Sequence, residues 1–194
     1  ITNIAGAAVW ANDNQTVFYT RKDPDTLRSF QVYRQAIGGE ADLVFQENDE
    51  IFACYVWKTK SKQYVMISST QTLTSEHLYL NADSPEDDFA AVHPRETGLE
   101  YNVDHFGDDF YIMTNMDAFN FRLMKTPVSA TAKENWTEVI AHREDTLLVG
   151  FEMFSNYLVV SEQANAQRKI RIMPWDNSNE HYIEYPEEVS VGYV

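Results

Sequence analysis

The sequence contains little that could cross-link the chain or hold it in a membrane. Cys54 is the single cysteine in 194 residues, so the chain cannot form an internal disulfide. No apolar run approaches the roughly 18 residues of a membrane span, and no cationic segment precedes an apolar one as in a secretion signal. We therefore expect a cytoplasmic protein with no membrane partner. Two triplets that match the glycosylation sequon, beginning at Asn14 and Asn135, leave a secreted protein as the alternative.

Positive charge is also scarce. The 15 lysine and arginine residues are outnumbered by 30 aspartate and glutamate residues, which gives a formal net charge of −15 at pH 7. Because so acidic a surface repels phosphate backbones, we do not expect nucleic acid as a partner. The same charge attracts cationic ligands, or it serves only to keep the protein in solution. Both interpretations stay open at this point.

Residue patterns typical of metal sites or catalytic centres are missing as well. The five histidines are scattered without the i, i+4 or His-x-His spacing of a metal site, and they are His77, His93, His105, His142 and His181. The acidic run at 83–88 lacks the central glycine of a calcium loop. There is no Gly-x-Ser-x-Gly motif, and Cys54 lies in an apolar segment where a thiol is normally inert. We expect no metal, no cofactor and no catalytic residue in this chain.

A repeat of about 47 residues is present instead. Four segments share one plan of polar turn residues, an apolar run and a closing hydroxyl, namely 14–20 (NQTVFYT), 62–68 (KQYVMIS), 108–114 (DDFYIMT) and 155–161 (SNYLVVS). Their starts lie 48, 46 and 47 residues apart. Self-similarity at such a spacing is the signature of a repeat architecture and has to be considered before any other fold.

Three further segment sets recur at the same spacing. A set with alternating polar and apolar residues begins at Phe30, Glu76, Asn120 and Lys169, and a more charged set begins at Asp42, Asp88, Asn135 and Glu180. The most apolar set begins at Ala5, Glu50, Leu99, Leu147 and Val189. Four short strands per repeat, with no competing helical period, predict an all-β chain of β-propeller blades with four antiparallel strands each. The apolar set is then the inner strand and the charged set the outer strand.

The predicted blades cover 5–49, 50–98, 99–146 and 147–188, and 189–194 begins a further blade. Each blade of a propeller buries its faces against two neighbours, so the ring must be closed. A chain that stops inside a repeat favours a part of a larger ring. Four blades that close by themselves are the alternative.

Longer motifs identify the kind of propeller. Neither the Gly-His and Trp-Asp pairs nor the double glycines of common interaction propellers recur at blade spacing. The segments at 11–38 (ANDNQTVFYTRKDPDTLRSFQVYRQAIG), 58–67 (KTKSKQYVMI), 74–83 (TSEHLYLNAD), 93–115 (HPRETGLEYNVDHFGDDFYIMTN) and 120–127 (NFRLMKTP) closely resemble the propeller of oligopeptidase B, or protease II, in the prolyl oligopeptidase family. The resemblance extends over nearly the whole chain and is weakest in the last 25 residues or so.

The resemblance implies a cytosolic serine peptidase that cleaves short peptides after Arg or Lys. In that family an α/β-hydrolase domain carries the catalytic triad, and a seven-bladed propeller covers the active site and excludes folded proteins. The chain then contains about four of the seven blades and lacks the catalytic domain. Its partners are the hydrolase domain of the same parent chain and short basic peptides. By itself the chain is expected to be inactive.

Family geometry also indicates which loops face the hydrolase domain. Links between successive blades and links between the two middle strands share that face, which places the candidates at 21–28, 46–50, 93–97, 142–146 and 185–188. The residues that we single out for substrate gating or for the domain interface are Arg21, Lys22, Glu47, Glu50, Arg95, Glu96, Arg143 and Glu144. Their neighbours Asp49, Asp145, Glu187 and Glu188 add negative charge. These carboxylates either attract basic peptides or pair with Arg95, Arg143 or an arginine of the partner domain.

A second hypothesis belongs to a different functional class. A free-standing propeller that binds proteins or peptides needs no catalytic domain. It predicts closure of the ring at four blades, or dimerisation of two half-rings through their open blade edges.

Overall fold

The computed structural model describes residues 3–176 and 178–185. These residues form sixteen β-strands in four sheets, and a three-residue 3₁₀ helix at Lys133–Asn135. The first sheet contains β1 (Ile4–Trp10), β2 (Thr16–Lys22), β3 (Ser29–Ala36) and β4 (Ala41–Gln46), and the second β5 (Ala53–Lys58), β6 (Tyr64–Gln71), β7 (Thr74–Asn81) and β8 (Ala90–His93). The third contains β9 (Tyr101–Phe106), β10 (Asp109–Thr114), β11 (Arg122–Pro127) and β12 (Thr137–Ile140), and the fourth β13 (Leu147–Met153), β14 (Tyr157–Ala164), β15 (Gln167–Pro174) and β16 (His181–Tyr182).

Each sheet is an antiparallel meander in which every strand pairs with its sequence neighbour. The fold class predicted from the repeat is thereby confirmed, because each repeat forms one four-stranded sheet. No helix within the described residues is long and apolar enough to cross a membrane.

The apolar core of the described residues lies between neighbouring sheets. One cluster joins Phe18 and Val32 of the first sheet to Val56 and Ile67 of the second. Two further clusters fill the spaces between the second and third sheets and between the third and fourth sheets. The third sheet is therefore covered on both faces, and five of the six residues of β10 are buried. The second and third sheets each pack against two neighbours, which is the arrangement that a propeller requires of its blades.

The hydroxyl that closes the repeated segment is buried at three of its four positions. Thr20 Oγ1 accepts a hydrogen bond of 3.0 Å from the Val56 backbone N–H, which belongs to the next sheet. Ser68 Oγ accepts one of 2.7 Å from the Trp57 indole, and the Thr114 hydroxyl donates to the carbonyl of residue 100. Because buried polar groups need partners, these hydroxyls satisfy donors or acceptors within and between sheets.

Several strands begin later than the sequence predicts. The inner strand expected from Glu50 begins at Ala53, because the Phe52 N–H first closes a turn onto the Asp49 carbonyl. The outer strand expected from Asn135 begins at Thr137, after the 3₁₀ helix. The inner strand expected from Val189, which is to open a further blade, lies outside the described residues.

Candidate functional site

The ends of the four sheets make two opposite faces. We call one the link face, which contains the connections between sheets (47–52, 94–100 and 141–146) and the hairpins between the second and third strands of each sheet. The opposite turn face contains the hairpins between the first and second strands. Hydrogen bonds join a hairpin to a connection between sheets on the link face. Arg28 of the first sheet's hairpin donates to the Asp49 and Phe52 carbonyls at 3.1 and 2.9 Å.

An ion cluster lies at the link face between the first two connections. The Arg95 guanidinium contacts the carboxylates of Glu47 and Glu76 and the hydroxyl of Ser69. Burial disfavours the charged form of Glu47, but hydrogen bonds from Arg95, Ser69 and a backbone N–H outweigh it and lower the pKa of this carboxyl. Glu47 is thus held as a carboxylate inside the fold. Its partner is Arg95, and only 5% of its side chain is exposed.

Arg143 belongs to a second ion cluster. Its guanidinium contacts the Glu162 carboxylate of β14, which also pairs with Arg171 and accepts a hydrogen bond of 2.8 Å from the Tyr182 hydroxyl. The backbone of the same connection is held by Asn120, whose amide donates to the carbonyls of Arg143 and Glu144. The sequence analysis did not identify Glu162, because the pairing depends on how the fourth sheet folds back onto the link.

The remaining acidic candidates are exposed. Glu96 pairs with Lys133 at 2.9 Å and lies 3.4 Å from His93, and these contacts lower the pKa of its carboxyl. Together with Gly98, Asn115 and Asp117 it lines an open cleft of about 260 Å³. Glu50 and Glu144 point to solvent at the connections that follow the first and third sheets.

Arg21 and Lys22 lie elsewhere than predicted. Both belong to β2 and not to the hairpin, because pairing with β3 continues to Lys22 opposite Ser29. The Arg21 guanidinium lies 5.0 Å from the ring centroid of Tyr33 on the same sheet. The hairpin itself spans 23–28, so these two residues are not at its tip. The predicted candidates Glu187 and Glu188 lie outside the described residues.

Four large apolar side chains at the link face were missed by the sequence analysis. Each stands at the tip of a connection or hairpin, is 60 to 71% exposed, and the four are Leu27, Ile51, Leu73 and Phe119. Leu27 also has a positive φ of 60°, an uncommon conformation for a branched side chain. A single apolar residue in a turn produces no periodicity, so its only signal in the sequence is its chemistry at a position where polar residues are usual.

The chemistry of the link face is that of a contact surface. It combines exposed apolar tips with charged side chains, of which Glu47, Arg95 and Arg143 are already paired. Within 3–176 and 178–185, no group of three or more His, Cys, Asp or Glu side chains is arranged to hold a metal ion. Apolar residues surrounded by charged ones are typical of protein interfaces.

The amino-acid sequence is similar to a known protein family and to several curated proteins. Residues 1–192 match the family model described as prolyl oligopeptidase, N-terminal β-propeller domain. A curated relative, dipeptidyl aminopeptidase BI from Pseudoxanthomonas mexicana, is 36% identical over 99% of this chain and 27% of its own length. Protease 2 from Moraxella lacunata is 28% identical over 88% of this chain and 25% of its own length.

A solved structure extends the likeness to three dimensions. Oligopeptidase B from Leishmania major superposes with a TM-score of 0.85 at 27% identity, over 95% of this chain and 28% of that protein. The resemblance inferred from the sequence motifs is therefore confirmed. The chain spans about a quarter of the length of the relatives that it matches.

Proposed function

Because the chain belongs to the prolyl oligopeptidase family and matches its N-terminal β-propeller domain, we propose that it is the non-catalytic gating part of a cytoplasmic serine oligopeptidase. The complete enzyme cleaves short peptides after Arg or Lys on an α/β-hydrolase domain outside residues 1–194. The propeller admits unfolded peptides and keeps folded proteins from the active site. The chain alone has no peptidase activity.

The observation that carries this proposal is the row of apolar tips at the link face. A propeller that only bound small peptides has no need to expose Leu27, Ile51, Leu73 and Phe119 together on one face. Such tips are stabilised when another protein surface covers them. We assign the hydrolase domain of the same protein as that surface. Docking there places the link-face ends of the four sheets over the active site.

Charge at the same face supports the choice of substrate. Asp49, Glu50, Glu96 and Glu144 are all exposed around the tips, and the whole chain has a formal net charge of −15. A surface with an excess of one sign of charge concentrates ligands of the opposite sign. Peptides that contain Arg or Lys are the ligands with this chemistry.

A second activity is favoured by one comparison. The relative that is 36% identical to this chain is a dipeptidyl aminopeptidase. An enzyme of that kind removes two residues from a free amino terminus, whereas the proposed endopeptidase also accepts a blocked terminus. The propeller has the same gating role in both cases.

Two chromogenic substrates distinguish these activities in the full-length protein. A benzyloxycarbonyl-Arg-Arg anilide is cleaved by the endopeptidase, and an Arg-Arg anilide with a free amino terminus is required by the dipeptidyl aminopeptidase. Turnover of the blocked substrate supports the main proposal, and turnover of the free one alone supports the second. The chain of residues 1–194 serves as the matched control and is expected to show no turnover. Activity in that control, or none in the full-length protein, contradicts the proposal.

A further inference from the structure

A small cavity lies at the turn face, at the opposite end of the sheets from the apolar tips. It is a half-open cavity of about 290 Å³, lined by the hairpins between the first and second strands of the second, third and fourth sheets. Its walls include Lys60 and Ser61 from one hairpin, His105 and Phe106 from the next, and Phe154 from the last. The cavity therefore lies where the inner strands of three successive sheets converge.

Lys60 crosses this cavity. Its backbone N–H donates to Asp104 Oδ1 of the third sheet at 3.1 Å, and its Nζ donates to Glu152 Oε2 of the fourth at 2.6 Å. The same ammonium lies 3.4 Å from the ring centroid of Phe154. A carboxylate beside an aromatic face is the combination that proteins use to bind organic ammonium groups. The structure thus contains such a cage with an ammonium already inside it.

The charges around the cage are not balanced. Asp104 and Glu152 supply two carboxylates, and Lys60 supplies one ammonium. Burial raises the pKa of Asp104, and repulsion from Glu152 adds to this effect while Lys60 opposes it. Burial lowers the pKa of His105, although Asp108 and Asp109 act in the opposite direction, so the imidazole adds no positive charge near neutral pH. Counted formally, two carboxylates and one ammonium leave one negative charge beside the cavity.

The contact between Lys60 and the cage is easily exchanged. Both side chains of the ion pair are more than one third exposed. An exposed ion pair favours the paired state by no more than about 5-fold, and an exposed cation–π contact adds a similar factor. A cation from outside can therefore compete with Lys60 for the same position without breaking the fold.

We propose that this cavity is a binding site for one Lys or Arg side chain of a peptide, in which Lys60 acts as an internal ligand that the peptide displaces. The apolar walls from Phe106 and Phe154 accommodate the methylene stem, and Glu152 accepts the hydrogen bond from the cation. The site is at the turn face, so it is separate from the link face and from the hydrolase domain proposed to cover it. It selects basic peptides where they meet the outer end of the propeller.

The test measures binding of acetyl-Gly-Lys-Gly-amide to the full-length protein by calorimetry. In Lys60→Met the stem remains but the competing charge is gone, so the peptide is expected to bind about 5-fold more tightly than to the parent protein. The matching norleucine peptide lacks the ammonium and is expected to show no gain. Adding Glu152→Gln to Lys60→Met is expected to remove the gain. Lys60→Gln is a second variant with the same expected effect, should the first fold poorly.

Three outcomes contradict the proposal. They are equal affinity in the parent and in both Lys60 variants, equal binding of the norleucine peptide, and an unchanged gain after Glu152→Gln. Because the readout is binding and not cleavage, failure here leaves the proposed peptidase function untouched. Failure of the chromogenic assays likewise leaves this site testable.

Discussion

The guanidinium of Arg95, from the connection after the second sheet, reaches the carboxylate of Glu47, from the connection after the first. One ion pair thus joins two successive links at the same face of the molecule. The Glu47 side chain is only 5% exposed, and the ring of Phe52 lies 3.8 Å below the guanidinium carbon. Because a buried carboxylate that loses its cation is left without a compensating charge, this pair holds the two connections together.

Removal of Arg95 is expected to destabilise the fold. Breaking a fully buried pair costs about 3 to 5 kcal/mol, and because the Arg95 side chain is 26% exposed we expect Arg95→Ala to lower the free energy of unfolding by about 2 kcal/mol. Urea unfolding at neutral pH measures this difference.

Lys125→Ala is the matched control for Arg95→Ala. It breaks a pair with Asp109 in which both side chains are partly exposed. The expected loss is at most about 1 kcal/mol. Equal losses in the two variants mean that burial of Glu47 does not matter to the fold.

His77 is expected to make the fold sensitive to acid. Its imidazole is fully buried between the Ser68 hydroxyl, at 2.8 Å from Nδ1, and the Tyr101 carbonyl, at 2.7 Å from Nε2. Burial lowers the pKa of His77 from 6.5 to about 4, against the opposing effect of the Tyr101 hydrogen bond. In the unfolded chain the imidazole takes up its proton near pH 6.5, whereas the folded state binds it only near pH 4. Stability is therefore fully present above pH 6.5 and falls as the pH decreases towards 4.

The size of this effect follows from the pKa difference. Between about pH 8 and pH 5 the free energy of unfolding is expected to fall by about 2 kcal/mol on account of His77. His77→Gln keeps a donor and an acceptor but cannot titrate, so its stability is expected to lose this part of the pH dependence. His181→Gln, at an exposed position on the outer strand, is expected to behave like the parent protein. If the free energy of unfolding depends on pH in the same way in all three proteins, His77 is not the source of this pH dependence.

The Cys54 thiol is expected to be inert in the folded protein. It is fully buried within the first core cluster, and burial, with a smaller contribution from Glu47, raises its pKa to about 12. Because the thiolate is the reactive form, dithionitrobenzoate is expected to react only after unfolding in urea. Rapid labelling of one thiol per chain in native buffer contradicts both the burial and the pKa.

Much of this fold was predictable because its information is local and repeated. The period of about 47 residues, the alternating strands and the closing hydroxyls of Thr20, Ser68 and Thr114 indicate four sheets before any contact is known. The ends of strands were less predictable. Arg21 and Lys22 continue β2 by pairing with β3, and such pairing depends on residues seven to ten positions away in the adjacent strand.

The candidate site was predictable only in part for a related reason. The position of Arg95 on the link face follows from the order of the strands, but its choice of Glu47 as partner depends on how two sheets pack. Arg143 illustrates the same limit, since its partner Glu162 lies within β14 and not in any link. Periodicity predicts whole strands, but it does not predict the exposure of a single side chain in a loop, such as Phe119.

The hydroxyl of Thr20 offers a test of the contacts between sheets. It accepts the hydrogen bond from the Val56 N–H, and both groups are fully buried. Thr20→Val is nearly isosteric but leaves that donor without a partner, which costs about 1 to 3 kcal/mol. Thr20→Ser keeps the hydroxyl and serves as the control, with a smaller expected loss. Urea unfolding of both variants decides the matter, and a valine variant as stable as the serine variant disproves this role.

Substitution of the apolar tips tests the link face as the docking surface for the hydrolase domain. We expect Phe119→Ser and Leu27→Ser, in the full-length protein, to weaken closure of the two domains, because each removes apolar surface that the interface covers. The measured quantity is the rate of cleavage of a folded protein substrate relative to a short basic peptide. That ratio is expected to rise several-fold as the gate loosens, while the thermal unfolding temperature stays unchanged.

Ile37→Ser is the matched control for the tips. Ile37 is 69% exposed, like them, but it follows β3 at the opposite end of the first sheet. It is therefore expected to leave both the cleavage ratio and the unfolding temperature unchanged. If all three serine variants shift the ratio equally, exposure of apolar side chains in general and not contact at the link face controls access. If none does, the hydrolase domain is held by residues other than the tips, and the observation that carries the proposed function loses its support.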